Sequence, residues 1–510
     1  MIIPISDELS RISKGEILSD DWSKEIYSVD ASHYSVKPSV IICPFDKHDL
    51  SEICQYGYSK NISITARGSG TGLLGQSLND NIIIDFTKHM NKILEIGNDY
   101  VLVQPGLVKG VLDKELKKRG KFLPPDPASS NYCTIGGMIA NNSSGIHALG
   151  YGSTIDFLDT ANIVYSDGTF GSVSSSNASS SSDKGSYDEK IAKLYRLLSP
   201  YIDFIQKRYP KVTKNSCGYR LDAVINNKKF YPHKIFTASE GTLGIVTSAE
   251  LRIIDIPLYK ATIVFGFKDL LSCMSAVPLV LQFSPVALEL LDHSVFSTVD
   301  DIKGSARFKD NDRNYGSILY VEFASDDLTD VEQKLTICKD KLSSVSTTLE
   351  TASDENSSRR IWEARKSALN NVMKLTVGSR KPVGLIEDTV VNPNVLCDYT
   401  HFLLQKYNDN KLDYVIYGHA GNGNLHTRPV VDIESPRELE LFDSIADEVF
   451  TKVISYGGTI TGEHGDGMAR TKYIEFMYGL QIVSIFQQIK KLFDPKFIMN
   501  PGKKVVRHDI

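Results

Sequence analysis

The sequence predicts an α+β protein in which a glycine-rich first part is followed by a part with longer helices. Up to Pro257, short β-rich runs alternate with glycine-rich turns. Over 261–456, longer helical patterns alternate with isolated strands, of which 318–323 is an example. With 510 residues, the chain is long enough for two or three domains with sizeable cores. These changes predict three units: 1–256 with a helical lead-in over about 1–33, then 257–456, then 457–510.

The individual elements follow from hydrophobic periodicity and turn signals. Apolar and β-branched runs predict strands at 40–42, 62–65, 82–86, 100–103 and 245–246. Helical periodicity predicts helices over 49–60, 108–119 and 481–493, the last one ended by Asp494 and Pro495. The stretch 174–186 is rich in serine, so we expect a mobile surface loop there.

The composition is that of an ordinary globular protein and argues against several functions. The net charge of −5 gives no support for nucleic-acid binding, and no apolar run approaches the length of a membrane helix. The seven cysteines are scattered without a CxxC pair, which argues against an iron–sulfur cluster or zinc ribbon and indicates reduced, mostly buried thiols. The N-terminus becomes acidic too early for a secretion signal. We expect a cytoplasmic protein that reaches a membrane only through a partner.

A glycine-rich loop, RGSGTGLLG, occupies Arg67–Gly75 directly after a predicted strand. Its glycines match the dinucleotide pattern GxGxxG, but that pattern requires the loop to open a helix. Here residues 76–80 lead straight to the strand at Ile82, so a helix has no room to form. What remains is a nest of backbone N–H groups beside Arg67, which binds anions such as a pyrophosphate. A glycine-rich turn without a ligand is the alternative.

Two further loops have the same character. The stretch 124–130 is made rigid by prolines and continues into 134–145, where Thr134 is expected to cap a helix. The pair Gly136-Gly137 permits close approach of a ligand, and glycines recur over 239–246. Three such loops suit a large, flat, phosphorylated cofactor.

The segment GHAGNGNLH, from Gly418 to His426, predicts a hairpin that carries two histidines. The apolar run before it indicates a buried strand, and 420–423 suits a tight turn because glycine and asparagine tolerate positive φ. If the chain folds back through this turn, His419 and His426 lie side by side on neighbouring strands. Two neutral imidazoles and one carboxylate make a three-ligand zinc site that leaves a position open for substrate. Two unrelated histidines are the alternative.

A second segment, GEHGDG from Gly462 to Gly467, offers the carboxylate. Glu463 is the candidate third ligand. His464 is the next residue, so in an extended segment its side chain points the other way and stays available as a base.

These segments, in this order, carry a family resemblance. The first half resembles the FAD-binding domain of the vanillyl-alcohol oxidase/p-cresol methylhydroxylase superfamily. The later segments resemble its FAD-linked D-2-hydroxyacid dehydrogenase branch, which includes D-lactate, D-2-hydroxyglutarate and glycolate dehydrogenases. The resemblance runs from about Asp30 to Lys503 and is carried by Arg67–Gly75, Pro125–Gly145, Glu240–Val246, GHAGNGNLH, GEHGDG and the NPGK segment at 500–503.

The resemblance implies a fold and a cofactor. Residues 1–256 become a two-subdomain FAD-binding domain of the p-cresol methylhydroxylase type, and 257–456 become a cap domain with a large antiparallel sheet. The segment 457–510 returns to the flavin site. Non-covalent FAD is expected, because no covalent-attachment motif is visible in the flavin loops. The implied FAD-binding residues are Arg67, Gly68, Ser69, Gly70, Thr71, Gly72, Gly75, Pro125, Asp126, Ser129, Thr134, Gly136, Gly137, Asn141, Ser143, Gly145, Glu240, Gly244, Ile245, Val246 and Asn500.

The resemblance also implies a reaction, the oxidation of a small D-2-hydroxyacid to the 2-oxoacid by hydride transfer to the flavin. His419, His426 and Glu463 would bind zinc, and His464 would take the hydroxyl proton. A W-x-x-R pattern at Trp362–Arg365 assigns Arg365 to the substrate carboxylate. The electron acceptor would be a quinone, a cytochrome, an electron-transfer flavoprotein or a separate iron–sulfur subunit. The oligomeric state stays open, a homodimer included.

The sequence departs from the family pattern at several positions. Asn422 stands where many relatives have aspartate, and Arg428 stands where some 2-hydroxyglutarate-specific members have asparagine. If Arg428 faces the same side as His426, it favours a substrate with a second carboxylate; a structural pair with an acid such as Asp432 is the alternative. The stretch 381–389 resembles that of larger relatives that append an iron–sulfur domain. Two other functions stay open: a metal-free FAD-linked alcohol or lactone oxidase, and a flavin electron-transfer subunit of a larger complex.

Overall fold

Strands and helices were assigned in a computed structural model that describes residues 4–175, 189–226, 229–296, 315–372 and 378–506. The side chains of Phe296 and of 367–372 are outside this description. The predicted serine-rich loop at 174–186 lies outside the described residues except for its first two positions.

The first sheet has four short strands, three of which run parallel. They are β1 (Glu16–Leu18), β2 (Val40–Cys43), β3 (Ile64–Arg67) and β4 (Ile82–Asp85), in the order β1-β2-β4-β3. Every residue of β2 and β4 is buried, as expected of parallel strands covered on both faces. The helices here are α1 (Ile5–Leu9), α2 (Asp21–Tyr27) and α3 (Lys47–Lys60). The lead-in is thus not wholly helical, because β1 pairs antiparallel with β2.

The second sheet has five antiparallel strands in the order β5-β6-β12-β8-β9. The strands of this part are β5 (Ile93–Ile96), β6 (Tyr100–Val103), β7 (Lys121–Phe122), β8 (Leu158–Val164), β9 (Phe170–Ser174), β10 (Ile225–Asn226), β11 (Lys229–Phe230), β12 (Ile245–Arg252) and β13 (Ile254–Asp255). The helices are α4 (Lys109–Lys117), α5 (Ile135–Asn141), α6 (Ala148–Tyr151), α7 (Glu189–Leu198), α8 (Ile202–Arg208) and α9 (Leu221–Val224). The short strands β7 with β13, and β10 with β11, form two small ribbons.

The third sheet is the large antiparallel one that the resemblance implied. It comprises β14 (Tyr259–Phe267), β15 (Ala287–Asp292), β16 (Ser317–Ser325), β17 (Thr347–Ala352), β18 (Arg380–Pro382), β19 (Thr389–Val390), β20 (Tyr414–His419) and β21 (Asn424–Asp432). Its order is β17-β14-β16-β15-β20-β21-β18, with β19 also on β21. The helices are α10 (Leu270–Leu281), α11 (His293–Phe296), α12 (Leu328–Leu342), α13 (Glu355–Val372), α14 (Leu396–Asp409) and α15 (Pro436–Ser455). The α+β class is therefore confirmed.

The last residues come back to the first sheet. After α16 (Gly467–Arg470), α17 (Ile474–Tyr478) and α18 (Leu480–Phe493), the chain runs beside β3, where Ile64 N–H donates to Ile498 O and Asn500 N–H donates to Ile64 O, both at 2.8 Å. Short 3-10 turns complete the described elements at Thr154–Asp156, Ser199–Tyr201, Pro232–Phe236, Pro393–Val395, Ala420–Asn422 and Thr471–Tyr473.

The predicted strands and helices are all present. Most ends are displaced by up to two residues, as for β3, which begins at Ile64, but the strand predicted at 245–246 continues to Arg252 as β12. All seven cysteines are free and six are buried, as predicted. Within the described ranges, the helices are too short or too polar to cross a lipid bilayer.

Candidate active site

A cavity of about 640 Å³ lies where the three sheets meet. This volume is within the range of small-molecule and cofactor sites. Most of the predicted cofactor residues line it: Arg67, Gly68, Ser69, Gly70, Thr71, Gly72, Ser129, Thr134, Gly136, Gly137, Asn141, Ser143, Glu240, Gly244, Ile245 and Val246. The wall also includes Arg365, His419, His426, Arg428, Glu463 and His464, so the flavin loops and the predicted catalytic residues share one cavity.

Five predicted cofactor residues, Gly75, Pro125, Asp126, Gly145 and Asn500, are not part of this wall. Asp126 instead engages His147, with Oδ2 2.6 Å from Nδ1. A Cβ on Gly145 would lie 2.3 Å from the Asp126 carbonyl oxygen, so this glycine serves a close backbone contact. Asn500 donates from Nδ2 to Gln76 O at 3.0 Å and to Glu240 O at 2.6 Å. It therefore connects the segment after the glycine-rich loop to the loop that contains Glu240.

Arg67 holds the glycine loop to the N-terminal segment. Its guanidinium donates to the carbonyl oxygens of Tyr27 and Val29, at 3.3 and 2.8 Å. Gly70 follows with φ +68°, and a Cβ there would lie 2.6 Å from Arg67 Nη2. The Arg67 side chain lines the cavity, but the N–H groups that donate to these two carbonyl oxygens are already occupied by the protein itself. The predicted role of this loop and of Arg67 in binding the cofactor stays a prediction.

Thr134 caps α5, as predicted, because its Oγ1 accepts from Gly137 N–H at 3.3 Å. The glycine loop packs against this cap, since a Cβ on Gly68 would lie 2.1 Å from Thr134 Oγ1. No helix forms between Arg67 and β4, a stretch the structure describes throughout, so the exclusion of a Rossmann loop is confirmed.

Glu240 has a left-handed backbone, with φ +52°, and its side chain is buried. Its Oε1 accepts from Asp466 N–H at 2.7 Å and lies 3.3 Å from Lys504 Nζ. The residue therefore fastens the GEHGDG segment to the flavin loops.

The hairpin of β20 and β21 brings the two predicted histidines together. Tyr417 pairs with His426, and His419 pairs with Asn424, so the histidines are diagonal neighbours on one face. Their ring centroids are 5.2 Å apart. The turn depends on Gly423, whose φ is +68° and whose Cβ would lie 1.8 Å from Val391 O. The strand–turn–strand prediction is confirmed.

Glu463 completes a set of three donor groups. Its Oε1 lies 2.9 Å from His419 Nε2 and 3.5 Å from His426 Nε2. Its Oε2 accepts from Lys214 Nζ at 2.9 Å and from Ser144 Oγ. Burial disfavours a charged carboxylate, but Lys214 and His419 hold the pKa of Glu463 well below its usual range. Oε2 is thus occupied by two hydrogen-bond donors, whereas Oε1 faces the imidazoles of His419 and His426.

His464 stacks on His426, with ring centroids 5.0 Å apart. Its Nδ1 lies 2.6 Å from Glu387 Oε1, and its Nε2 lies 3.9 Å from Glu463 Oε1. Burial disfavours the imidazolium, but the Glu387 carboxylate, helped by Asp388, outweighs burial and raises the pKa of His464 to about 9.

The adjacent acids Glu387 and Asp388 were not among the predicted site residues. Asp388, at φ +70°, accepts from the backbone N–H groups of Gly462, Glu463 and His464 through Oδ2 at 2.8–3.0 Å. A carboxylate that collects three amides fixes the loop that presents Glu463 and His464. Two acids inside an apolar run were the signal that could have revealed them, because acids are rarely buried without partners.

The donor atoms suit a divalent metal. Asp388, His426, Glu463 and His464 offer donor atoms within 4.8 Å of one another. Both Asp388 oxygens already accept backbone or side-chain N–H groups, so this acid is a poor ligand. His419 lies outside this cluster, but its Nδ1 is engaged by Glu289 at 2.7 Å while its Nε2 lies 2.9 Å from Glu463 Oε1. Two imidazoles and one carboxylate are a common catalytic zinc set.

Two arginines approach the same cavity. Arg365, on α13, donates from Nη2 to Glu289 and is buried. Arg428 lies two residues after His426 on β21, and both line the cavity, so the predicted common orientation is confirmed. Its Nη2 lies 3.4 Å from Glu387 Oε2, so an acidic partner exists, but it is Glu387 rather than Asp432.

Comparison with known proteins agrees with this architecture. Residues 38–174 match the family described as FAD binding domain, and residues 256–504 match FAD linked oxidases, C-terminal domain. The chain is 31% identical to a D-2-hydroxyglutarate dehydrogenase of Haemophilus influenzae over 96% of this chain and 50% of the relative. It is 29% identical to the glycolate oxidase subunit GlcD of Bacillus subtilis over 98% of this chain and 96% of that subunit.

Among solved structures, p-cresol methylhydroxylase with bound substrate superposes with a TM-score of 0.67, at 14% identity, over 97% of this chain and 95% of that one. The chain spans about half the length of the D-2-hydroxyglutarate dehydrogenases that it matches. The two matched domains follow one another along the chain, and the cavity lies between them. The chain belongs to the FAD-linked oxidases, a flavoprotein family with the p-cresol methylhydroxylase fold.

Proposed function

We propose that the protein oxidises a D-2-hydroxyacid to the 2-oxoacid, with FAD as cofactor and zinc assisting. The observation that carries the proposal is the shared cavity, which joins the flavin loops to His419, His426, Glu463, His464 and Arg365. FAD, when bound, supplies the acceptor for the two electrons that leave the substrate. A zinc ion held by His419, His426 and Glu463 would supply a Lewis acid beside the hydroxyl.

Proton transfer falls to His464 in this proposal. Because Nδ1 is engaged by Glu387, Nε2 is the atom that takes the hydroxyl proton. Stacking on His426 and the contact with Glu387 hold the ring in one orientation.

Substrate recognition falls to the arginines. Arg365 is proposed to hold the carboxylate that all 2-hydroxyacids share, through a charge-assisted fork. Arg428 is proposed to hold a second carboxylate at the far end of the substrate, which favours D-2-hydroxyglutarate or D-malate over D-lactate. The name of the Haemophilus relative agrees with this preference.

The direct test is flavin bleaching. The purified holoprotein is mixed without oxygen with D-lactate, D-2-hydroxyglutarate, D-malate and glycolate, and zinc is measured on the same sample. At least one D-2-hydroxyacid should bleach the flavin, with the dicarboxylates fastest. If none does, while dithionite still reduces the flavin, the proposed reaction is wrong.

The electron acceptor and location belong to the same proposal. We propose a separate acceptor, since the Bacillus relative is named as a subunit, and a cytoplasmic location with peripheral membrane association through that acceptor. Re-oxidation of the substrate-reduced protein by a quinone, a cytochrome, an electron-transfer flavoprotein or an iron–sulfur protein identifies the acceptor class.

Arg428→Met is expected to move specificity toward D-lactate. Methionine keeps the length of the side chain but removes the cation, so the substrate with two carboxylates loses a partner and the methyl-bearing substrate does not. The ratio of kcat/KM for D-2-hydroxyglutarate to that for D-lactate should fall tenfold or more, about 1.4 kcal/mol. If the ratio is unchanged and both substrates react equally slowly, Arg428 does not determine specificity, and its role is the ion pair with Glu387.

Glu387→Gln is expected to move the pH profile to lower pH. His464 must be neutral to accept a proton, and its raised pKa of about 9 means that kcat/KM should rise as pH approaches that value. The Glu387 carboxylate is the main cause that keeps the proton on the ring, so its loss lowers the pKa. The midpoint of kcat/KM against pH should therefore fall, and a midpoint that stays or rises would count against His464 as the base.

A further inference from the structure

One buried carboxylate, Glu289 on β15, joins the two sides of the candidate site. The residue is fully buried. Its Oε1 lies 2.7 Å from His419 Nδ1, and its Oε2 accepts from Arg365 Nη2. A proposed metal ligand and the proposed carboxylate-binding arginine are therefore held by the two oxygens of a single side chain.

The contact with His419 decides which ring nitrogen can bind a metal. A carboxylate accepts hydrogen bonds, so the proton on His419 stays at Nδ1 beside Glu289. Nε2 then keeps the position that faces Glu463 Oε1, at 2.9 Å. Carboxylates that hold the second nitrogen of a metal-binding histidine fix its tautomer and raise its basicity.

The contact with Glu289 holds the Arg365 guanidinium in place and leaves an N–H group of that guanidinium without a hydrogen-bond acceptor among the described residues. Nη2 is engaged by Glu289, whereas the buried Nε has no hydrogen-bond partner among the described residues. The side chain lines the cavity. Trp362, one helical turn earlier, donates to Glu322 Oε2 at 2.7 Å and anchors the same helix to the large sheet.

We propose that Glu289 is a positioning residue that couples metal binding at His419 to carboxylate binding at Arg365. The inference rests on the proposed function for the identity of these two ligands. Its alternative is that Glu289 only neutralises a buried arginine. Under that alternative, the metal site does not depend on Glu289.

Glu289→Gln separates the two readings because glutamine has the same shape but only one acceptor. If the amide nitrogen faces Arg365, two donors meet and the guanidinium moves. If it faces His419 Nδ1, that nitrogen must become the acceptor, and its proton moves to Nε2 and removes the ligand lone pair. In either orientation the charge of the carboxylate is lost, so His419 Nε2 becomes a weaker ligand and Arg365 loses its ion pair.

The test uses the flavin-loaded protein after removal of metal. Zinc affinity is measured by competition with a chelator, and oxalate binding is followed through the flavin spectrum. Oxalate has no C–H bond, so the protein cannot oxidise it. Glu289→Gln should lower zinc affinity by about 10- to 100-fold, and oxalate should bind at least tenfold more weakly. Arg365→Met should weaken oxalate while zinc affinity stays within about threefold of wild type.

Glu322→Gln is the matched control, because Glu322 is also a buried glutamate and lies on the neighbouring strand β16 without touching His419. Its zinc affinity should equal that of wild type. If Glu289→Gln fails to load flavin, Glu289→Asp replaces it, since a shorter carboxylate keeps the charge but cannot span both partners. Wild-type zinc affinity in the Glu289 variant, or an equal loss in Glu322→Gln, would overturn the proposal. Neither titration involves turnover, so the result is separate from a failure of any hydroxyacid to bleach the flavin.

Discussion

Replacing His464 with alanine is expected to slow turnover by about two to four orders of magnitude, the usual contribution of a positioned general base. Zinc and flavin should both remain bound. The reason is geometric: the ring nitrogens of His464 face Glu387 and the cavity, whereas Glu463 Oε1 is nearest to His419. Turnover, zinc content and flavin content are measured on the same preparation.

Three companion variants make this result specific. His419→Ala, His426→Ala and Glu463→Gln should each lose both zinc and activity while keeping flavin. His401→Ala, which removes an exposed histidine on α14, should behave as wild type. If His464→Ala loses the metal and Glu463→Gln keeps it, the roles assigned to these two neighbours are reversed.

The second large effect is expected at the glycine loop. Gly70→Val should yield protein with at least tenfold weaker FAD binding, about 1.4 kcal/mol. Valine at φ +68° is strained, and its Cβ would lie 2.6 Å from Arg67 Nη2, so the guanidinium must leave its carbonyl partners. The loop then loses the conformation that lines the cavity. The flavin-to-protein ratio and a titration with added FAD measure the effect.

Gly120→Val is the matched control for the backbone strain. Gly120 also has φ +68°, but its Cβ would meet nothing within 4 Å, and the residue is not part of the cavity wall. Both variants should lose stability by about 1–2 kcal/mol from the left-handed backbone. Only Gly70→Val should lose flavin. Equal flavin loss in both would mean that general destabilisation, and not the loop, controls binding.

The features that sequence predicted best depend on neighbouring residues. The absence of a helix after the glycine loop followed from the short distance to Ile82, and the cap at Thr134 followed from its position before an apolar run. The histidine hairpin followed from a strand pattern and a turn of glycine and asparagine. In each case, one short stretch of chain holds the information.

The features that sequence could not supply depend on contacts between distant residues. Glu289 meets His419 across 130 positions, and Lys214 meets Glu463 across 249. Side-chain direction was also hidden: Arg67 and Glu240 lie on loops that line the cavity, but both side chains form hydrogen bonds with the backbone of distant segments. The hydrogen-bond partners that orient these two side chains lie in the lead-in, for Arg67, and in the C-terminal segment, for Glu240.

The most direct measurement is the rate of flavin bleaching by the best D-2-hydroxyacid before and after metal removal. Holoprotein is mixed with the acid without oxygen as isolated, after treatment with a chelator, and after zinc is returned. Rapid bleaching in the first state, its loss in the second and its recovery in the third are the predicted results. Bleaching at the same rate without metal would contradict a joint role of the flavin and of the donor set His419, His426 and Glu463.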